Sequence, residues 1–466
     1  MLNVVLLVVD SLRGRALDAD AAERPRTPFL DRLARDTVAF TRAYASECWT
    51  LPAHCSMFTG LLPSEHGAHF RHLAYNGRQP TVAERLAAAG YRTEVITRNS
   101  IFDGTLPGIT RGFQRSSAVT SARLGLNPLS LMLALSKPRF RRQILSSGFF
   151  SAAQRANRDF VTRFARATVP ADREALAHTL DRMARLRRER APYFLFANLY
   201  DVHAPYPPAE HSLFRPLRHP SSWPETARMP LVLPKLGGHA YLRRGFRLSP
   251  VSQRLLRGRY HRAIELMDDK LAAFYAAAEA SGLLDDTVLI VTSDHGEAFG
   301  EHGLYLHDAS VYDVHLRVPL FIRHPAAVPR RVEEVVSTRD LCGLLAAAAD
   351  GTGIRDTLLD PAFRAARSIA LAEHMHYPGV PDAAPRFRHD LAAAIAGDVK
   401  VIVRGDAVEL YDLGRDRDEA APEPATLEEF GARARAAGAG ASAVAEAVAH
   451  LRRFRAQRAA ALSLAA

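Results

Sequence analysis

Apolar positions fall along this chain in two rhythms. Residues 3–9, Asn-Val-Val-Leu-Leu-Val-Val, are an almost unbroken apolar run, the pattern of a strand buried on both faces. Runs of the same kind return at 93–97, 192–197, 288–291 and 318–322. Between them the apolar positions recur at helical spacing, with local start signals. Thr27-Pro28 opens one helix, Thr27 at the N-cap and Pro28 at the first helical position. A short helix begins near Pro52, and Thr81 with Glu84 makes a capping box for a helix that stops at Gly90. Strands alternating with helices predict an α/β fold: a mostly parallel central sheet with helices on both faces.

Other stretches depart from that alternation. Residues 115–190 are rich in Arg, Ser and Ala, with helical periodicity and no clear strand, and read as a helical insertion. Inside it, Leu129 to Phe150 mixes apolar residues with Arg139, Arg141 and Arg142. An amphipathic surface helix is the plain reading, with peripheral membrane contact through 115–165 or a cover over a substrate pocket as the alternatives. A Pro-rich loop and another helical region run to about residue 282. Residues 400–403 and 408–411 predict a hairpin around Arg404-Gly405-Asp406. Residues 425–466 are Ala-rich and helical, a surface helix or an interaction tail. The organisation is therefore a catalytic domain over 1–375, a small α+β subdomain over 376–424 and a helical tail over 425–466.

Composition narrows the class. Of 466 residues, 48% are hydrophobic and 24% charged, values of a folded globular chain. No apolar run spans a bilayer. The N-terminal run lacks the basic segment and cleavage site of a signal peptide and leads straight into Asp10, so a cytoplasmic location is expected. Three cysteines, Cys48, Cys55 and Cys342, are too few for a disulfide framework and fit a reducing compartment. The net charge of +11 is mostly arginine. It suits an anionic substrate or membrane surface, or reflects compositional bias; no nucleic-acid-binding signature accompanies it, so no nucleic acid is expected.

Polar residues gather just past the ends of predicted strands, where open parallel sheets bind ligands. Asp10 follows the first strand; alone, such an Asp is a turn or cap residue. Thr50 stands where a helix begins, in Cys48-Trp49-Thr50-Leu51-Pro52-Ala53-His54. There it is either a simple N-cap or a nucleophile facing an anionic ester, which helix N–H groups favour. His203 follows the strand ending near 199, either as a surface residue or as a group for an anionic oxygen. The densest cluster is Asp294-His295-Gly296-Glu297, then Glu301, His302 and His307. Asp294 and His295 offer an oxygen and a nitrogen to one divalent cation.

Taken together these segments resemble the sulfatase family of the alkaline phosphatase superfamily. Val8 to Arg13 and Thr27 to Ala34 resemble the family's opening. Thr50-Leu51-Pro52 through Gly60 is similar to its nucleophile motif. Asp201 to Tyr206, Ser293 to Glu297, Arg317 to Leu320 and Glu409 to Leu413 resemble later motifs, in order. The resemblance implies an alkaline-phosphatase-like three-layer sandwich and one divalent metal ion, calcium, manganese, magnesium or zinc. Asp10, Asp294 and His295 match metal-ligand positions, and the nucleophile Thr50 would touch the metal too. His203 and His307 match positions that contact the transferred anion, with His302 in the same motif.

Two departures redirect the chemistry. Sulfatases carry Cys or Ser at the nucleophile, matured to formylglycine, and an Arg four residues on; here stand Thr50 and His54. Ser11 replaces a second Asp ligand, and the Lys and His expected near residue 97 are missing, with Asn99 in that neighbourhood. The expectation is a hydrolase or transferase of phosphate esters using a covalent Thr50 intermediate, with His54, His203 and His307 stabilising oxygens or protonating the leaving group. Asn99 and His302 are assigned to substrate contact. The alternatives are a sulfate-ester hydrolase without formylglycine and an inactive binding protein on the same fold. A two-metal site drawing on Asp201, His203, His302 and His307 ranks behind one metal.

Overall fold

The computed structural model describes residues 1–18, 24–102, 104, 106, 108–118, 172–204, 206, 247–307, 309–350, 353–376 and 387–463. The stretch Leu129 to Phe150, and with it the membrane-contact expectation, lies outside them.

The strands of the main sheet are β1 (Asn3–Val9), β2 (Val38–Tyr44), β3 (Arg92–Thr97), β4 (Arg115–Ala118), β5 (Tyr193–Leu199) and β6 (Thr287–Thr292). After a small ribbon of β7 (Ala298–Phe299) and β8 (Tyr305–Leu306), β9 (Arg317–Arg323), β10 (Arg330–Val332) and β11 (Val336–Ser337) complete it. The sheet has nine strands in the order β10-β2-β9-β6-β1-β5-β3-β4, with β11 also on β2. Only β9 runs against both of its neighbours, β2 and β6; the other described pairs are parallel.

β1 explains the layering. Its alternate side chains enter two separate cores: Val5, Leu7 and Val9 join one, Val4, Leu6 and Val8 the other. A strand can serve two cores only if both faces are covered, and each buried Val or Leu contributes roughly 1.5–3 kcal/mol. The helices Pro28–Asp36, Arg173–Arg188 and Pro250–Ala280 cover one face, and Thr50–Thr59, Val82–Ala88 and Leu341–Asp350 cover the other. This is the expected three-layer α/β sandwich.

Local signals work unevenly. The capping box forms as read: Thr81 Oγ1 accepts from Glu84 N at 3.1 Å and Glu84 accepts from Thr81 N at 2.9 Å. Thr27 makes no side-chain cap. Asp268 of the long helix 250–280 takes that role, its carboxylate accepting from Phe29 N and Leu30 N at 2.9 and 2.8 Å. Residues 115–118 are an edge strand of the main sheet, correcting the strandless reading of 115–190. Arg-Ser-Ser-Ala lacks the branched side chains that mark strands, and an edge strand needs little of them.

A second sheet of β12 (Ala370–His374), β13 (Leu391–Ala396), β14 (Val399–Arg404), β15 (Ala407–Asp412) and β16 (Glu423–Pro424) is antiparallel throughout. The expected hairpin is β14–β15. The C-terminal segment is no free tail: Phe430, Val444, Leu451 and Phe454 of its two helices share a core with Val401, Val403 and Leu410 of this sheet.

One buried cation joins the two sheets. Lys400 of β14 is fully buried, with Nζ 2.7 Å from Asp313 and 2.6 Å from Glu419. Burial opposes its charge, yet the two carboxylates outweigh burial and hold it above its ordinary value. Asp313 in turn accepts from the hydroxyl of Tyr44 on β2 at 3.2 Å. Lys400→Met should therefore cost about 3–5 kcal/mol in urea unfolding, the usual cost of orphaning buried charge. Burial pushes Glu419 above the usual carboxylate range, so without Lys400 the loss should grow as rising pH ionises it and shrink in acid, where it is protonated.

Candidate metal centre and nucleophile

The register of the main sheet creates the site. Val8 of β1 lies opposite Thr292 of β6, so Asp10 and Asp294, each two residues further on, emerge side by side. Just past β1 the chain turns through Ser11 in the left-handed region at φ 65°. Ser11 N donates to Asp294 Oδ1 at 3.2 Å, Ser11 Oγ to Asp10 Oδ1 at 3.1 Å, and Leu12 N to Ser293 Oγ at 2.9 Å. The Tyr260 hydroxyl donates to Ser11 O at 2.8 Å and accepts from Arg13 N at 3.0 Å. Gly296 is dictated by space: a Cβ there would lie 2.1 Å from Val314 O.

One ligand atom each from Asp10, Asp294 and His295 lies within 4.8 Å of the others, all fully buried. His295 Nε2 is 3.8 Å from Asp10 Oδ1, 3.5 Å from Asp294 Oδ2 and 3.3 Å from Thr50 Oγ1. Its Nδ1 lies 3.0 Å from Gly296 O. A carbonyl accepts only, which assigns the proton to Nδ1 and turns the Nε2 lone pair toward the carboxylates. Burial pushes Asp294 up to about 7, and burial with the Asp294 charge does the same to Asp10. Asp294 Oδ2 is buried without a hydrogen-bond partner. Two unneutralised carboxylates, one orphaned oxygen and an aligned imidazole nitrogen fit a divalent cation.

Thr50 begins the helix Thr50–Thr59, with Trp49 at the N-cap, so its hydroxyl is free of capping duty. Gly60, left-handed at φ 75°, ends that helix.

His54 departs from expectation. Its Nδ1 donates to Thr50 O at 2.8 Å, and its ring lies 4.9, 5.4 and 6.0 Å from those of Phe102, Phe196 and Phe58. Burial pushes it down to about 3, so the imidazole is neutral. A sealed neutral ring neither stabilises equatorial oxygens nor protonates a leaving group; His54 positions the first turn. Asn99 also serves otherwise than expected, donating through Nδ2 to Asp10 Oδ2 at 3.2 Å, where Asn198 donates too at 3.4 Å. His302 stacks on Tyr312 with ring centres 3.7 Å apart. Asp201 pairs with Arg98 at 2.8 Å and with Lys270, so it is no second-metal ligand.

His203 and His307 do come together, ring centres 5.0 Å apart, and the His307 ring is 4.3 Å from that of His295. Glu297 accepts from His307 Nδ1 at 3.1 Å.

The match with known proteins is broad. The family model "Sulfatase" covers residues 2–351. The chain belongs to the sulfatase family. Curated relatives include choline-sulfatase of Rhizobium meliloti (strain 1021), 25% identical over 70% of this chain and 63% of that protein. Iduronate 2-sulfatase of Mus musculus is 24% identical over 73% of this chain and 63% of its own length. The multifunctional alkaline phosphatase superfamily protein PehA of Trinickia caryophylli is 27% identical over 69% and 68%. The chain thus spans a little under two thirds of the first two. Among solved structures, the phosphonate monoester hydrolase of Agrobacterium radiobacter matches with TM-score 0.62 at 20% identity, covering 98% of this chain and 96% of that one. A 2-O GAG sulfatase matches with TM-score 0.61 at 15% identity, over 93% and 90%. These structural matches establish the shared fold.

Sequence reading named Ser11 and Glu297 without seeing their supporting role, and it missed Asn198 and Tyr260 as residues that hold this site together. Glu297 carried a signal, following Asp294-His295-Gly296 directly. Tyr260 carried none, since only the packing of the long helix brings it beneath Ser11.

The raised carboxylates set the pH behaviour. Folded Asp10 and Asp294 hold protons up to about pH 7, whereas in the unfolded chain they lose them near pH 4. The metal-free protein therefore loses stability as pH rises from 4 toward 7. Added Mn2+ or Ca2+ should raise the melting temperature more at pH 8 than at pH 5.5, and calorimetry at pH 6 should detect proton release on binding. Equal gains at both pH values would contradict the assignment.

Proposed function

We propose that this sulfatase-family chain is a metal-dependent ester hydrolase or transferase that acts on phosphate esters through a covalent intermediate on Thr50. The observation that carries the reading is the placement of Thr50 Oγ1 3.3 Å from His295 Nε2, beside the buried pair Asp10 and Asp294. Asp10, Asp294, His295 and the Thr50 hydroxyl would hold one divalent cation, calcium, magnesium, manganese or zinc. When bound, the ion supplies Lewis acidity at the ester oxygen and favours the alkoxide of Thr50.

The chain's own groups do the rest. Ser11, Asn99 and Asn198 fix the carboxylates, and His54 fixes the first turn of the nucleophile helix. Thr50 Oγ1 gives up its hydroxyl proton to solvent and forms the bond to phosphorus while the bond to the leaving oxygen breaks. That oxygen takes a proton from the His203–His307 pair, where Glu297 fixes the His307 tautomer. Water or an acceptor alcohol then attacks phosphorus in line and releases Thr50. Formylglycine releases sulfate by collapsing to an aldehyde; threonine has no such exit, and a phosphorylated threonine does not need it. Sulfate-ester hydrolysis without formylglycine is the second reading, favoured by the choline-sulfatase and iduronate 2-sulfatase relatives.

A cytoplasmic site of action belongs to this reading, since Cys48, Cys55 and Cys342 are all buried and unbridged. No described helix is long and apolar enough to cross a membrane.

Thr50→Ala should lower kcat by at least about a thousandfold, a loss of about 4 kcal/mol of transition-state stabilisation, with metal content unchanged. Assays on an aryl phosphodiester, a phosphate monoester and an aryl sulfate check both claims. Wild-type rates in the variant would refute covalent catalysis, and a preference for the sulfate would favour the second reading.

A further inference from the structure

A second group of metal-ligating side chains lies outside the catalytic set. Glu47, Cys48 and His374 each offer one ligand atom within 4.8 Å of the others, and all three are buried. Glu47 and Cys48 belong to the loop that leads into Thr50. His374 ends β12 of the second sheet. The two segments are joined nearby by Glu373 N donating to Ser46 O at 2.9 Å.

We propose that Glu47, Cys48 and His374 form a distinct transition-metal site of the zinc class, which ties the nucleophile loop to the second sheet. The donor set is one sulfur, one nitrogen and one carboxylate oxygen, which selects zinc-like ions over calcium or magnesium. The oxygen-rich set around Asp294 has the opposite bias.

Geometry supports the assignment. Cys48 Sγ is 3.4 Å from Glu47 Oε1 and 3.6 Å from His374 Nδ1, and Glu47 Oε1 is 2.6 Å from His374 Nδ1. A tetrahedral ion with bonds of about 2.3 Å to sulfur and about 2.0–2.1 Å to nitrogen and oxygen sets both sulfur edges near ~3.5 Å. It sets the nitrogen–oxygen edge near ~3.3 Å by the same bond lengths. The sulfur edges are already in place, and the third edge opens with a shift of about 0.7 Å from its 2.6 Å.

Charge supports it as well. The Glu47 carboxylate accepts from His374 Nδ1. A divalent cation would neutralise both the Glu47 carboxylate and a Cys48 thiolate inside the protein. The proton balance is simple. Cys48 loses its thiol proton to solvent, and His374 frees Nδ1 for the ion while carrying its ring proton on Nε2.

The test uses full-length protein, purified under reducing conditions, stripped of metal and reloaded with Co2+. The wild type should bind two ions per chain and show thiolate-to-cobalt charge-transfer absorption. Cys48→Ser and His374→Gln should each lose one ion and that absorption. Asp294→Asn should lose one ion and keep the absorption, so failure of the catalytic site and failure of this one are told apart. Absence of the thiolate band from cobalt-loaded wild type overturns the proposal without needing any variant to fold. So does survival of the band in Cys48→Ser.

Discussion

Two carboxylates held side by side away from water are the constraint around which this molecule is organised. The β1–β6 register brings Asp10 and Asp294 together, and burial then raises both. Such a pair persists only where donors meet its oxygens, and the donors come from every neighbouring segment. Ser11 supplies two, Asn99 and Asn198 one each, and His295 N another at 3.0 Å from Asp294 Oδ1. The oxygen left over, Asp294 Oδ2, is buried with no hydrogen-bond donor of its own.

The second sheet takes part in the same economy of buried charge. Glu373 of β12 accepts from Ser64 N and Oγ at 2.7 and 2.8 Å and pairs with His450 of the last helix at 2.9 Å. Lys400 reaches from β14 to Asp313. These contacts land on segments flanking the helix Thr50–Thr59 or on the main sheet, so the C-terminal region braces the surroundings of Thr50.

The sequence carried the layout because both-face-buried strands leave continuous apolar runs, as β1, β5, β6 and β9 do. It hid β4 and β13, built of Arg-Ser-Ser-Ala and Leu-Ala-Ala-Ala-Ile-Ala, because their side chains carry little strand preference. Asp10, Thr50, Asp294 and His295 were legible as chemical types at strand and helix ends. The supporting residues were not, because hydrogen bonds such as Tyr260 to Ser11 span 249 positions and leave no local trace. His54 misled for a related reason: a histidine near a nucleophile reads as an acid or base until three phenyl rings are seen around it.

That aromatic enclosure has an evolutionary corollary. An arginine at position 54 would bring a permanent cation into a compartment walled by Phe58, Phe102 and Phe196. A cysteine placed at position 50 would therefore still have a neutral imidazole, not a guanidinium, four residues further on. Seating a guanidinium there would require the three phenyl rings to be replaced or moved as well.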